Sequence, residues 1–338
     1  MSGAHLLVLA CGAATGLQDG GRSGYQRQGL SGSGAMDRLA LAAANALVGN
    51  PPETVAVELA LAGARLRAVG GVVRLALAGA PFALSLDGEA VGDHRSFCLR
   101  EGATLALAPP RRGVFAYLAV AGGIPVPERL GSRALHLRAG LGGVDGRLLR
   151  AGDRLPVGAP AGAGADRTID PLPLDSEAPV RVVPGPQADH FPDAAVAAFL
   201  SATYAVSNRA DRMGYQLDGP AVAHGERGFN IVSDATVAGS IQVPGSGLPI
   251  VLMADRQTTG GYPKIATVIS ADLRRVAQRR PGEPLRFEAV SVERAVALAR
   301  EAAAVRAALP VRLRAVISRE ERLMAANLAG NAVDALAP

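Results

Sequence analysis

Lys264 is the residue whose chemistry is most distinctive in this chain. It is the only lysine, and every other residue among the 35 lysines and arginines is an arginine. An ammonium is a compact charge whose pKa shifts readily, whereas a guanidinium is planar and stays protonated. A single retained lysine therefore indicates a position where arginine cannot serve, and we predict that Lys264 stabilises negative charge on a ligand. A polar turn with one surface lysine is the structural alternative.

The loop before Lys264 has the composition of a small-molecule site. It lies in the segment ADRQTTGGYPKIATVIS, residues 254–270, whose two glycines permit positive φ and close backbone approach. Asp255 is a candidate base or Mg²⁺ ligand. Amide and hydroxyl groups of the loop could hydrogen-bond a small amide or carboxylate. Its predicted substrate-binding residues are Gln257, Thr258, Thr259, Gly260, Gly261 and Tyr262.

A second polar segment precedes the first predicted helix. LQDGGRSGYQRQGLSGSGAMD, residues 17–37, places two carboxylates and several polar groups among glycines. Asp19 and Asp37 are candidate bases or Mg²⁺ ligands, and Arg22 and Tyr25 are candidate substrate-binding residues. The serines and glycine just before the helix predict an anion site at its first backbone N–H groups. A structural loop with aspartate–arginine pairs is the alternative.

A third segment, SNRADRMGYQLDGP, residues 207–220, contributes Arg212 as a candidate substrate-binding residue. A charged turn that leads into a strand explains this segment equally well. His190, in PGPQADHF, is predicted to be a structural histidine.

Several chemistries are excluded by the residues available. Lys264 is followed by Ile, so there is no Gly-Lys-Ser/Thr phosphate loop. GAMDRL has an aspartate where a biotin carrier needs lysine, so no biotin is attached to this chain. The net charge is +5, but the arginines are scattered, which argues against a nucleic-acid partner. Two cysteines without metal-ligand spacing and no membrane-length apolar run indicate a reduced, cytoplasmic setting without membrane contact.

The elements that position these groups are mostly short strands. Apolar runs of five to eight residues, split by Gly, Pro or charge, predict antiparallel strands, and two of them flank a hairpin-like loop at residues 256–263. Helices are predicted from Ala35 towards Pro51, in DAAVAAFLSAT, and from Val292 to Leu309. The Pro- and Gly-rich stretch near the middle predicts a linker. The predicted domains are 1–160, a linker at 161–179, 180–290 and a helical tail at 291–338.

Several of these segments resemble the allophanate hydrolase subunit 2 family, also called the biotin-dependent carboxyltransferase-like or KipA family. The resemblance rests on segments that include LGSRALHLRAGLGGVDGRLLRAGDRL, DRMGYQLDGP and GSIQVPGSGLPIVLMADRQTTGGYPKIATVI. The block QTTGGYPKIA is the most specific of them. The resemblance implies two cyclophilin-like β-barrel domains, so the predicted fold class is mainly β with a few helices and a helical C-terminal extension. It also adds Gln242 to the predicted substrate-binding residues.

The family includes the C subunit of a bacterial ATP-dependent 5-oxoprolinase. The resemblance therefore implies an enzyme subunit that hydrolyses 5-oxo-L-proline to L-glutamate together with a subunit 1 (KipI-like) protein and a third subunit. ATP and Mg²⁺ would act at the level of the complex, with the metal ligands unassigned. Two alternatives stay open. One is a carboxyltransferase half-site that accepts CO₂ from biotin on another protein, and the other is a non-catalytic regulator that binds a KipI-like protein.

Overall fold

Short apolar runs separated by glycine, proline or charged residues form strands over most of the chain. The computed structural model describes residues 3–159, 165–174 and 177–316. Its strands are β1 (His5–Cys11), β2 (Gly16–Gln18), β3 (Ala56–Ala60), β4 (Ala64–Val69), β5 (Val73–Gly79), β6 (Leu84–Leu86), β7 (Glu89–Val91), β8 (Arg95–Leu99), β9 (Thr104–Leu107), β10 (Phe115–Val120), β11 (Arg154–Pro156), β12 (Arg167–Thr168), β13 (Val180–Pro184), β14 (Tyr204–Val206), β15 (Gly214–Asp218), β16 (Asp234–Ala235), β17 (Ser240–Gln242), β18 (Ile250–Leu252), β19 (Thr259–Gly260), β20 (Lys264–Val268), β21 (Pro284–Leu285), β22 (Phe287–Ala289) and β23 (Arg314–Ala315). Its α-helices are α1 (Arg38–Leu47), α2 (Asp193–Ser201), α3 (Leu273–Ala277) and α4 (Val292–Ala307).

The first half of the chain, from β1 to β12, forms two sheets that enclose a hydrophobic core, and the C-terminal strand β23 joins one of them. One sheet has the strand order β11-β1-β4-β9-β6-β7, and the other has the order β2-β3-β10-β5-β8-β12-β23. Leu6 and Leu66 from the first sheet and Leu75 from the second belong to one buried cluster. Two sheets that pack face to face bury such a layer of alternate side chains between them.

Every residue of β10 is buried because this strand has a core on each face. Leu118 and Val120 belong to the cluster between the two sheets, whereas Phe115 and Tyr117 belong to a second cluster. That second cluster also contains residues of α1 and of the strands in the second half of the chain. The continuous apolar run FAYLAV is therefore a strand buried on both sides, and it joins the two halves through hydrophobic packing.

The second half forms an eight-stranded sheet with the order β21-β14-β15-β18-β17-β20-β13-β22. β17 lies between β18 and β20 and pairs antiparallel with both: Ile241 is opposite Val251 on one side and Ala266 on the other. β18 and β20 are therefore parallel, and their connection must pass from one side of β17 to the other. The predicted hairpin-like loop at 256–263 is wrong, because β17, which precedes both strands in the chain, is inserted between them.

Helix α1 is alanine-rich and packs against β5 and β10. Asp37 caps it: one carboxylate oxygen accepts hydrogen bonds from the backbone N–H groups of Leu39 and Ala40, each at 3.1 Å. A carboxylate at this end of a helix satisfies free N–H groups and complements the helix dipole. The predicted anion site at the start of α1 is therefore wrong, because the chain's own carboxylate occupies that position.

The C-terminal helix lies where the sequence predicts it. α4 is capped by Ser291, whose hydroxyl accepts a hydrogen bond from the backbone N–H of Arg294. After α4 the chain returns to the first half, where β23 pairs with β12 in the register Arg167 to Ala315. The stretch predicted as a linker thus supplies a short strand to a first-half sheet. Residues 317–338 of the predicted tail lie outside the described residues, and the domain boundaries stay a prediction.

The predicted fold class is confirmed: the chain is mainly β, with a nearly closed barrel sheet and a few helices. Across residues 3–159, 165–174 and 177–316, no helix has both the length and the apolar character needed to cross a bilayer.

Candidate functional site

Lys264 is a buried residue at the start of β20. Its side chain is 2% exposed, and its Nζ donates hydrogen bonds to Oδ2 of Asp234 at 2.6 Å and to the backbone carbonyl of Ala235 at 3.0 Å. Its backbone N–H donates to Oε1 of Gln187 at 3.2 Å. Two of the three ammonium N–H bonds are thus used by the protein. The amine lies inside the structure and not in bulk solvent.

Asp234 is the exposed partner of this buried amine. Its side chain is 48% exposed, and it also accepts a hydrogen bond from Nε2 of Gln187 at 3.0 Å. The hydrogen bond from Lys264 lowers the pKa of Asp234, and the bond from Gln187 lowers it further. The pair therefore presents an ionised carboxylate to solvent. Such a group is a weak base but a strong hydrogen-bond acceptor.

Asp234 is a site residue that the sequence analysis missed. The short pairing of β16 with β19 brings it beside the predicted loop, with Asp234 opposite Gly260 and Ala235 opposite Thr259. One signal could have pointed to it: a lysine that is buried next to an apolar strand needs a carboxylate partner. Nothing in the sequence spacing identifies which aspartate provides it.

Gln257, in the loop before Lys264, is hydrogen-bonded to Gln242 at the end of β17. Nε2 of Gln257 donates to Oε1 of Gln242 at 2.9 Å, and Nε2 of Gln242 is buried without a hydrogen-bond partner among the described residues. A Cβ atom at Gly260 would lie 2.3 Å from that Nε2. Neither Gly260 nor Gly261 has a positive φ. These glycines thus do not use the positive φ that their residue type permits, and the lack of a Cβ atom at Gly260 leaves room for the Gln242 side chain.

The other loop residues divide between the interior and the surface. Thr258 is buried, and its carbonyl accepts a hydrogen bond from the backbone N–H of Thr236 at 3.0 Å. Thr259 is exposed, and Tyr262, two residues before β20, is 40% exposed. The groups that a ligand can reach here are therefore Asp234, Thr259 and Tyr262, with Lys264 and Gln242 beneath them.

Asp255 belongs to a different cluster, centred on Arg212. The Arg212 guanidinium donates to both oxygens of Asp255, at 2.9 and 2.8 Å, and to Oε1 of Glu58 at 2.6 Å. Ser33 donates to Asp255 at 2.6 Å. Burial alone would lower the pKa of Arg212, but Glu58 and Asp255 together raise it. This cluster connects the two halves of the chain. It is separate from the ion pair of Lys264 with Asp234, which is called the Lys264 pair below.

Asp37 and Asp19 are also held by the protein. Besides capping α1, Asp37 accepts a hydrogen bond from Nε2 of Gln278 at 2.9 Å and forms an ion pair with Arg274 at 3.2 Å. Asp19 accepts from the hydroxyl of Ser132 at 2.7 Å and from backbone N–H groups. The structure does not bring either carboxylate together with Lys264.

The two remaining candidates, Arg22 and Tyr25, lie in the loop before α1. Arg22 is 2% exposed and donates to the backbone carbonyls of Arg129 and Ala134, at 3.0 and 2.9 Å. Burial lowers the pKa of Arg22, and Asp19 and Asp255 partly offset this effect. The carbonyl of Tyr25 accepts two backbone hydrogen bonds within its own turn. Neither residue contacts the Lys264 pair.

Among the described residues, no group of three or more His, Cys, Asp or Glu side chains is close enough to hold a metal ion. Asp234 is the carboxylate that pairs with Lys264 in the described part of the chain, and binding of Mg²⁺ by Asp19, Asp37 or Asp255 stays a prediction.

A comparison with known protein families identifies the family to which this chain belongs. The family model "Carboxyltransferase domain, subdomain A and B" matches residues 28–289, which is most of the chain. This chain belongs to that carboxyltransferase domain family. The match spans α1, the Arg212 cluster and the Lys264 pair with its loop, whereas Asp19, Arg22 and Tyr25 precede the matched region. The resemblance found in the sequence is confirmed.

Named relatives in the family include subunits of 5-oxoprolinase and larger urea-processing enzymes. The C subunit of 5-oxoprolinase from Escherichia coli (strain K12) is 39% identical over 293 residues, which cover 86% of this chain and 93% of that protein. The same subunit from Haemophilus influenzae is 39% identical over 285 residues, which cover 84% of this chain and 91% of that protein. The crystal structure of the K. lactis urea amidolyase matches with a TM-score of 0.83 at 28% identity, over 91% of this chain and 20% of that chain.

Proposed function

We propose that this protein is a subunit of a multi-subunit, ATP-dependent 5-oxoprolinase that hydrolyses 5-oxo-L-proline to L-glutamate. The observation that carries the proposal is the 39% identity to the C subunit of the E. coli 5-oxoprolinase across 93% of its length. The similarity to urea amidolyase, in contrast, covers only a fifth of that longer chain. The word "subunit" in the relatives' name supports a complex, and a subunit 1 (KipI-like) protein is the partner that we propose.

The geometry around Lys264 suits a small cyclic amide. A lactam presents one N–H donor and one carbonyl acceptor. The ionised carboxylate of Asp234 can accept the lactam N–H, since it is exposed and fixed in place by Lys264 and Gln187. The hydroxyls of Thr259 and Tyr262, both exposed, are donors suited to the carbonyl and to the carboxylate of the substrate.

ATP would supply the driving force. Its γ-phosphoryl group would pass to the lactam oxygen with release of ADP, water would add to the activated ring carbon, and departure of phosphate with cleavage of the ring C–N bond would give glutamate. The role of this chain would be to bind and orient the lactam and to stabilise negative charge that develops at its oxygen. The ammonium of Lys264 has one N–H left after its contacts with Asp234 and Ala235. A preorganised donor of this kind contributes about 10²–10³-fold to turnover in well-characterised oxyanion sites.

The test is reconstitution with the partner subunits and measurement of glutamate and ADP formed from 5-oxoproline. We expect Lys264→Met to lower kcat by roughly 100-fold or more, because a charge-stabilising donor is removed. Lys264→Arg should not restore activity, since a planar guanidinium cannot occupy the position of a compact amine. Arg209→Met, which removes an exposed cation elsewhere in the same half, serves as the matched control and should leave kcat unchanged.

Binding of the partner subunits must be measured on the same samples. Full turnover in the Lys264→Met complex would contradict the proposal and favour a non-catalytic role for the site. Loss of partner binding in the variant would show that Lys264 acts on assembly and not on turnover.

A second candidate is a carboxyltransferase half-site that works with biotin on another protein. The family description and the similarity to urea amidolyase favour it. The two candidates differ in their requirements: a carboxyltransferase needs bicarbonate and is blocked by avidin, whereas hydrolysis of 5-oxoproline needs neither biotin nor bicarbonate. Avidin-sensitive, bicarbonate-dependent turnover in the reconstituted complex would replace the first candidate with the second.

A further inference from the structure

An arginine-rich cleft is lined by neither Lys264 nor Asp234. It has a volume of about 910 Å³. It is bounded by the loop before α1 (residues 22–36), by α1, by the start of the loop after β18, and by α4. The volume is in the range of pockets that bind small molecules. Its walls combine cationic and apolar side chains, among them Arg22, Met36, Arg38, Arg256, Leu298 and Arg306.

The charges in the cleft are not balanced. Seven arginines line it, against the two carboxylates of Asp272 and Glu301. Asp272 is already paired with Arg181 at 2.6 Å and with Arg275 at 3.6 Å. Arg274 forms an ion pair with Asp37, which does not itself line the cleft. Within the described residues, four lining arginines form no ion pair with a carboxylate: Arg22, Arg38, Arg256 and Arg306.

Arg256 is the most informative of these four. Its Nε is buried and has no hydrogen-bond partner in the part of the chain that the structure describes. Burial lowers the pKa of Arg256, and no carboxylate offsets the effect. A guanidinium stays protonated inside proteins, so burying it without a partner is unfavourable. Such a group is expected where an anion completes the site.

Arg22 supplies an independent second observation. Its side chain is 2% exposed, yet Nη1 is buried without a partner among the described residues, although Nε and Nη2 donate to backbone carbonyls. Each half of the chain therefore contributes to the same cleft one guanidinium group with a buried, unpartnered nitrogen: Nη1 of the buried Arg22 and Nε of the half-buried Arg256. Ser33, which lines the cleft beside them, adopts a positive φ of 51° and donates its backbone N–H to Ala254, next to the Arg256 segment.

We propose that this cleft binds a phosphorylated small molecule, with Arg256 as a principal ligand of the phosphate groups. The planar guanidinium donates in pairs to phosphate oxygens. Arg38 and Arg306 add positive charge from α1 and α4. The apolar residues Met36 and Leu298 can cover an uncharged part of the ligand, so the chemistry fits a polyphosphate with or without a nucleoside. The proposal concerns binding by this chain alone and does not depend on the reaction proposed above.

The test is isothermal titration calorimetry of the full chain with ATP and, separately, with sodium tripolyphosphate. We expect both to bind, and we expect Arg256→Gln to raise the Kd by about tenfold or more, as loss of a charge-assisted contact predicts. The matched control is Arg67→Gln, which removes the same charge from an exposed position on β4. It should change the Kd by less than about twofold, because distant surface charges are screened by salt.

Tighter binding of ATP than of tripolyphosphate would identify a nucleotide site, and equal binding would identify a site for the phosphate chain alone. Absence of binding of both compounds to the wild-type chain would overturn the proposal. Equal weakening by Arg256→Gln and Arg67→Gln would also overturn it, since that result describes general charge attraction. Without ligand, Arg256→Gln should not lower the Tm, and a clear drop would show that Arg256 has a structural partner after all.

Discussion

The Arg212 cluster and the Lys264 pair have the same chemistry in opposite arrangements. In the first, the cation is 18% exposed while its partners Glu58 and Asp255 are 2% and 6% exposed. In the second, the cation is 2% exposed and its partner Asp234 is 48% exposed. The position of the carboxylate decides what each group can do. Glu58 and Asp255 are already occupied by Arg212 and, for Asp255, by Ser33, whereas Asp234 has exposed surface that a ligand can reach.

Removal of the Arg212 side chain should have the largest effect on stability. Arg212→Ala leaves Glu58 and Asp255 buried without a counter-charge, and breaking a buried pair in this way costs about 3–5 kcal/mol. The free energy of unfolding from urea titration measures this loss. Arg209→Ala, an exposed neighbour in the same turn, is the control and should lie within about 0.5 kcal/mol of the wild type. A loss for Arg212→Ala as small as that of the control would mean that the cluster does not join the halves.

The two residues of the Lys264 pair should contribute unequally to the free energy of unfolding. Asp234→Ala leaves a buried ammonium with one carbonyl partner, and an unsatisfied charged group of this kind costs about 1–3 kcal/mol or more. Lys264→Met leaves an exposed carboxylate that water can solvate, so we expect a loss below about 1 kcal/mol. Urea titration of both variants in parallel checks the order. Equal losses would show that the exposure of Asp234 does not matter for its energetics.

The local elements of this fold were accessible from the sequence because their signals are local. The end of α1 follows from Gly49 and Pro51, and α4 follows from a long run of alanine with charged residues. The strands follow from short apolar runs between breakers. The order of those strands is a non-local property. The insertion of β17 between β18 and β20 depends on tertiary packing that no window of sequence contains.

The site was only partly accessible for the same reason. Lys264 was found from composition, and the loop with Gln257 and Tyr262 was found from residue types near it. Asp234 lies thirty positions away from Lys264 and reaches it through the pairing of β16 with β19. Asp255 has the residue type of a catalytic base, but its role as a partner of Arg212 depends on contacts across the two halves of the chain. Residue type predicts possible chemistry, and only packing shows which groups are already occupied.

The smallest expected effect is the pH response of the exposed carboxylate. The hydrogen bonds from Lys264 and Gln187 lower the pKa of Asp234 in the folded state below the value of about 3.9 that is usual for the unfolded chain. The pair therefore stabilises the fold above the unfolded pKa, and this contribution is lost as the pH falls through the lower, folded pKa. The contribution should also shrink with added salt, since Asp234 is half-exposed.

An NMR titration of the Asp234 carboxyl group measures this shift directly. In Lys264→Met the first cause of the shift is removed, so the pKa of Asp234 should rise towards the unfolded value while the bond from Gln187 keeps part of the shift. The Gln187→Ala variant is the matched comparison and should raise the pKa by less, because an amide donor stabilises a carboxylate less than an ammonium does. If the pKa of Asp234 is the same in the wild type and in Lys264→Met, the two groups do not form a pair in solution. The contrast between the two clusters would then rest on Arg212 alone.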